Sequence, residues 1–183
     1  HLGNGCSATA ILGGKSVDHS LGFTPSNGLV MGSRSGDIDH GMIFYLVESL
    51  GYPLEKVAHI LNRESGLKGL TGFSDLRDVE NRAAEGDAEC QLALEMSAYR
   101  IRKYIGAYTA AMNGLDALVF TAGIGENAPA MRERVCRDME AFGICLDQER
   151  NTAPGPGVQA LHAETSEVGI WIVPTDEELE IAR

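Results

Sequence analysis

The chain has 183 residues, 44% apolar and 22% charged, with 15 Lys+Arg against 26 Asp+Glu and a formal net charge of −11. This is the composition of a globular chain long enough to bury a full core, and it excludes intrinsic disorder. The acidic balance argues against a general nucleic-acid surface, which needs a basic face, and no apolar run reaches the ~18 residues of a membrane-spanning helix.

In chain order, the glycine-rich segment His1–Gly5 leads into Ala8–Asp18, where Gly13-Gly14 between two short β-prone runs predicts a hairpin. From Gly22 to Asp39 the chain is rich in Gly, Ser and Pro and reads as an ordered loop. Ile38, Met42, Ile43, Leu46, Val47 and Leu50 then recur at helical spacing, with Asp37 or Asp39 as the cap. Gly51-Tyr52-Pro53 ends that helix. Leu54, Val57, Ile60 and Leu61 mark a second one, closed by Gly66, and Leu67–Asp78 reads as loop. A long helix is predicted from Asp87 to Met112, with Leu94, Ile101, Ile105 and Tyr108 on one face and Asn113-Gly114 at its end.

The apolar run Ala117–Thr121, bounded by Gly123, fits a buried parallel strand. Gly123–Asn127 then reads as a turn, Pro129–Phe142 as a helix stopped by Gly143, Asn151–Gly157 as a surface loop, and Gly169–Val173 as a second buried strand. A hairpin, helices and then strand-turn-helix twice is an α/β pattern with a mixed sheet, in which ligands sit at the carboxyl ends of strands. His1–Gly5 carries no initiator Met and no targeting segment, and Glu177–Arg183 reads as a helix stopped in its first turns, so the chain is expected to be a piece of a longer protein. Cys6, Cys90, Cys136 and Cys145 form no C-x-x-C pair and read as reduced thiols of a cytoplasmic protein.

Several short motifs carry chemistry. Gly13-Gly14-Lys15-Ser16 ends like a P-loop, but position 9 is Thr where that motif needs Gly. Gly3–Ala8 and Gly123–Ala128 both match G-x-G-x-x-A. The first lacks the following helix. The second has the strand and the helix, but the acidic residue required ~20 positions on would be Asp147, so a dinucleotide-dependent oxidoreductase stays open as an alternative. Glycines there let backbone approach a ligand, and helix-start N–H groups favour phosphate or ribose oxygens. Arg34, between Gly32 and Gly36, is either an ion pair for Asp37 or Asp39 or an anion clamp that stabilises equatorial oxygens in phosphoryl transfer. Asp75-Leu76-Arg77 poses the same choice. His1 beside Asn4 would be aimed at a ligand, whereas His19, His40, His59 and His162 show no metal-ligand spacing. Glu177 either complements a helix dipole or holds Mg²⁺ through water.

Taken in order, His1–Gly5, Gly14–Asp18, Gly22–Pro25, Met31–Asp39, Ser74–Arg77, Phe120–Asn127 and Pro174–Leu179 resemble the motifs of the C-terminal half of the acetokinase family. The resemblance implies a ribonuclease-H-like (actin-like ATPase) α/β fold. It further implies that residues 1–183 are the C-terminal nucleotide-binding domain of a two-domain, homodimeric carboxylate kinase whose N-terminal domain is absent here. The implied reaction is in-line transfer of the γ-phosphoryl of ATP to acetate, giving acetyl phosphate and ADP, or the reverse. Propionate or butyrate kinase, or a non-catalytic nucleotide-binding module, are the alternatives. By the same resemblance His1, Leu2, Gly3, Asn4 and Gly5 line the phosphates, with Asn4 and Gly5 closest. Asp75, Leu76 and Arg77 border the nucleotide. Gly123, Ile124, Gly125, Glu126 and Asn127 wrap its adenosine side, Glu177 serves Mg²⁺, and Arg34 stabilises the transition state. The family's catalytic Asp, a second transition-state His and the acetate-contacting Arg belong to the other half, so this chain alone is expected not to turn over.

Overall fold

The computed structural model describes residues 1–175. They form two compact units, one of residues Asn4–Tyr104 and one of His1–Gly3 with the chain from Ile105 onward.

The first unit opens with the antiparallel hairpin β1 (Thr9–Leu12) and β2 (Lys15–His19), turned at Gly13-Gly14 as expected. A loop follows, and then α1 (Gly41–Phe44), which runs on through one wide π-helical turn, Tyr45–Ser49. Next comes α2 (Leu54–Arg63), whose Val57 is buried. The predicted loop Leu67–Asp78 is mostly helical instead: α3 spans Gly66–Thr71 and α4 spans Leu76–Ala84. A helix start leaves its first N–H groups without partners. Those of Leu67 and Lys68 donate 2.9 Å bonds to the carbonyls of Met31 and Gly32, a cap supplied from thirty-odd residues away. α4 is capped locally, by the Asp75 carboxylate accepting from the Arg77 N–H. The long helix α5 covers Ala88–Met112, and its predicted face of Leu94, Ile101, Ile105 and Tyr108 is buried.

In the second unit, β3 (Ala117–Phe120), β4 (Gln159–Ala160) and β5 (Gly169–Ile172) form a mixed sheet in the order β3-β5-β4. β3 is parallel to β5, with Phe120 opposite Ile172, and β4 is antiparallel to it. Central β5 buries Ile170 and Ile172, whereas β3, expected to be buried, keeps Val119 45% exposed. Among the described residues it is an edge strand, paired on one side, and of its own residues only Phe120 reaches the core. Gly123–Asn127, expected as a turn, belongs to a short helix, α6 (Ala122–Asn127). The helix opened by Pro129, α7, stops at Cys136, because Arg137 turns extended and Asp138 takes a left-handed conformation. A single 3₁₀ turn, Glu140–Phe142, follows. Within the predicted loop from Asn151, the first two residues instead close α8 (Gln148–Thr152), capped by Asp147. The four cysteines are free thiols, and among the described residues no helix is long and apolar enough to cross a membrane.

Candidate functional site

In the first unit the candidate residues gather around the loop from Gly28 to Asp37. The Gly32 N–H donates to the Asn4 carbonyl at 3.0 Å, which lays Asn4 along the loop. On the other side, Ser65 donates to the Ser33 carbonyl and Ser35 to the Leu61 carbonyl, each at 3.0 Å, fixing the loop to α2 and α3. Gly66, at φ +61°, permits this approach, since a Cβ there would stand 2.1 Å from the Met31 carbonyl oxygen.

Arg34 sits half-buried in the middle of that loop. Among the described residues its guanidinium makes one hydrogen bond, Nη1 to the Pro25 carbonyl, and no ion pair. The choice left open by sequence is thereby settled against pairing with Asp37 or Asp39. Asp37 accepts from Tyr104 and lies beside Arg100, and Asp39 accepts from the Gly41 N–H. Arg34 Nη2 lies against Gly5, and the exposed side-chain amide of Asn4 makes no hydrogen bond among the described residues. The guanidinium against Gly5 thus has donors to spare, and so does Asn4, whose Oδ1 is turned to Gly32; donors of this kind suit an anion.

Asp75 and Arg77 form an exposed bidentate pair, with Nη2 2.5 Å from Oδ2 and Nε 3.0 Å from Oδ1. The Arg77 side chain, followed by its backbone N–H, holds the Asp75 carboxyl down to about 2. Leu76 between them is buried in the core, which leaves only its backbone for any ligand contact.

In the second unit the first residues are stitched to the carboxyl end of β3. The Leu2 N–H donates to the Thr121 carbonyl at 2.9 Å, and the Leu2 carbonyl accepts from Ile124 and Gly125 at 2.8 and 3.1 Å. Leu2 is buried, while His1 is exposed with Nδ1 3.3 Å from Thr121 Oγ1. Ala122 carries a left-handed φ of +66°, an uncommon conformation for a residue with a Cβ, at the point where strand turns into helix. Glu126 Oε1 holds this corner by accepting from the N–H groups of Ala122 and Thr175, both at 3.0 Å. The donors expected to face a phosphate are thus largely spent on the protein itself. Gly123 is exposed, with no atom within 4 Å of where its Cβ would be, so backbone is open to a neighbour there.

Sequence reasoning missed the support beneath this corner. Arg132 of α7 is fully buried, and its guanidinium donates to the carbonyls of Gly125 and Glu126 and to the side chain and carbonyl of Asn151, at 2.8 to 2.9 Å. Burial pulls its pKa down. The neighbouring Cys136 thiol is pushed up to about 12 by its own burial. Nothing in the spacing of Met131, Arg132 and Val135 marks the arginine as interior. Glu177, the expected Mg²⁺ residue, lies outside the described residues. No group of three His, Cys, Asp or Glu among the described residues could hold a metal ion.

A family model described as "Acetokinase family" matches residues 1–183. Among curated relatives, an acetate kinase of Flavobacterium johnsoniae is 59% identical over 182 residues, and one of Leifsonia xyli subsp. xyli is 54% identical over 183. Each match covers all of this chain and 46% of the relative. Among solved structures, a Porphyromonas gingivalis acetate kinase superimposes with a TM-score of 0.94 at 46% identity. A Francisella tularensis propionate kinase does so with 0.93 at 42%. Both cover 100% of this chain and 46% of the other. The chain thus spans about half the length of the proteins it matches and shares their α/β fold.

Proposed function

The chain belongs to the acetokinase family, and from that premise we propose that it is the C-terminal, nucleotide-binding domain of an ATP:acetate phosphotransferase. The observation that carries this reading is the Arg34 guanidinium, free of any carboxylate among the described residues and packed beside Gly5. Phosphoryl transfer asks little covalent chemistry of a protein. It needs reactants held in line and cations on the equatorial oxygens of the migrating group.

In this reading Asn4 and Gly5 contact phosphate oxygens and Arg34 stabilises the charge that spreads over the transferred phosphoryl. His1, Leu2 and Gly3 continue the phosphate-lining segment, Leu2 through its backbone. Gly123, Ile124, Gly125, Glu126 and Asn127 border the adenosine. Their backbone is stiffened by the Glu126 carboxylate rather than arranged to grip phosphate, which suits contact with a base or ribose. Asp75, Leu76 and Arg77 border the nucleotide, Arg77 exchanging its pairing with Asp75 for the ligand. Mg²⁺ accompanying ATP or ADP neutralises phosphate charge, and Glu177 is the residue assigned to it, through water. The intact protein works as a cytoplasmic homodimer with acetate or acetyl phosphate as its second substrate.

The propionate kinase among the structural neighbours, almost as similar as the acetate kinase, supports a second reading with a longer acyl substrate. The test is acyl-phosphate formation by the full-length protein, trapped as hydroxamate, with acetate, propionate and butyrate. Preference for acetate, and a loss of about a thousandfold or more in kcat for Arg34→Ala, are expected. Nucleotide binding without acyl phosphate would leave only a binding module, and NAD binding in place of ATP would overturn the kinase reading.

A further inference from the structure

Among the described residues Arg34 has little of its own to fix its position: a single side-chain hydrogen bond and one bond from the Met31 N–H to its carbonyl. Its place is decided by the loop that carries it, and that loop is closed at its two ends by one cluster. Gly28 and Asp37 bond each other twice, the Gly28 N–H to Asp37 Oδ1 at 2.8 Å and the Asp37 N–H to the Gly28 carbonyl at 3.0 Å. Arg100 Nη1 then donates to both closing carbonyls, of Gly28 at 3.0 Å and of Asp37 at 3.2 Å, and lies 3.6 Å from Asp37 Oδ2. Tyr104 completes the set, its hydroxyl donating to the same Oδ2 at 2.7 Å.

Arg100 and Tyr104 are four residues apart on α5, hence neighbours on one face of the longest helix in the chain. The Arg100 side chain is only 24% exposed, which shelters its bonds from water and strengthens them. A charge-assisted latch on a rigid helix therefore holds both ends of a glycine-rich loop whose middle is bonded to α2 and α3, with Arg34 between them.

We infer that Asp37, Arg100 and Tyr104 are positioning residues for phosphoryl transfer, a latch that keeps the Arg34 guanidinium beside Gly5. The inference rests on the proposed role of Arg34. None of the three touches a reacting atom in this scheme. They act by restricting where one guanidinium can be, and a cation displaced by even an ångström loses much of its effect on a transition state.

The test is a double-mutant cycle on the full-length protein, with kcat and KM for ATP measured by hydroxamate trapping. Tyr104→Phe deletes one hydroxyl. Asp37→Asn keeps the shape and the acceptor for Gly28 while removing the charge that faces Arg100. Each is expected to lower kcat about tenfold or more with KM for ATP changed less than about twofold, while thermal unfolding remains cooperative and well above assay temperature. In the Arg34→Ala background the same substitutions should change kcat by less than about twofold, because the group they position is gone. Equal losses in the two backgrounds would assign the cluster to general stability and overturn the latch, as would unchanged kcat in both single variants. The milder Tyr104→Phe keeps the test decisive if Asp37→Asn fails to fold. Unchanged kcat in Arg34→Ala itself would instead overturn the role of Arg34, a failure distinct from that of the latch.

Discussion

The Nη2 atom of Arg34 stands 3.1 Å from the point that a Cβ on Gly5 would occupy. That separation is tighter than ordinary contact, and the atom that would have to yield is the far end of a flexible side chain rather than backbone. Gly5→Ala is therefore expected to fold with stability changed by less than about 1 kcal/mol while shifting the guanidinium. Steady-state kinetics of the full-length protein should show kcat down by about tenfold, with a smaller effect on KM for ATP. An unchanged kcat would separate Arg34 from the reaction.

Gly66 makes the opposite case. A Cβ there would meet two backbone oxygens, of Met31 at 2.1 Å and of Arg34 at 2.6 Å, in addition to the strain of a positive φ. Gly51 has a similar φ of +68° but open space around it. Denaturant unfolding should place Gly51→Ala about 1 kcal/mol below the parent and Gly66→Ala at least about 3 kcal/mol below, since backbone cannot give way cheaply.

Arg132 should be the costliest arginine to remove. Arg132→Met strands the carbonyls of Gly125 and Glu126 and both groups of Asn151 in the interior. At about 1–3 kcal/mol for an unsatisfied buried group, a loss of at least about 3 kcal/mol is expected in urea unfolding, with Arg132→Lys intermediate. Loss of less than about 1 kcal/mol would mean that the corner of α6 holds itself.

Asp75 sets an acid dependence. Its folded carboxyl is held down to about 2, below the ordinary value of 3.8, so its contribution is complete above about pH 4 and disappears as pH falls toward 2. Asp75→Asn keeps a capping side chain but cannot titrate. The variant should therefore lose less stability than the parent between about pH 4 and pH 2, measured by urea midpoints across that range. Parallel curves would show that the pair with Arg77 does not persist in solution.

Much of the fold was legible because it is local. Gly13-Gly14 between β-prone runs gave the hairpin, and the spacing of Leu94, Ile101, Ile105 and Tyr108 gave α5 almost to the residue. The helix α3 was not legible, for its glycines at 66 and 69 and the Gly72 that ends it argue for loop, while the carbonyls of Met31 and Gly32 that cap it come from another part of the chain. α6 escaped for a related reason: Glu126 holds a left-handed Ala122, the Leu2 carbonyl accepts from Ile124 and Gly125, and no propensity reports such partners. α8 did leave a trace, the capping Asp147, that the glycine and proline beyond it obscured.

The order and chemistry of the motifs were determined by the sequence alone, because a glycine beside a polar donor keeps its meaning wherever the chain goes. Which partner each charge takes was decided only by tertiary structure. Asp37 is three residues from Arg34 yet binds Arg100 and Tyr104, more than sixty residues on, and Arg132 lies in the interior on carbonyls instead of an acid. Hydrogen bonds and ion pairs act over a few ångströms of space, and distance along the chain does not report distance through it.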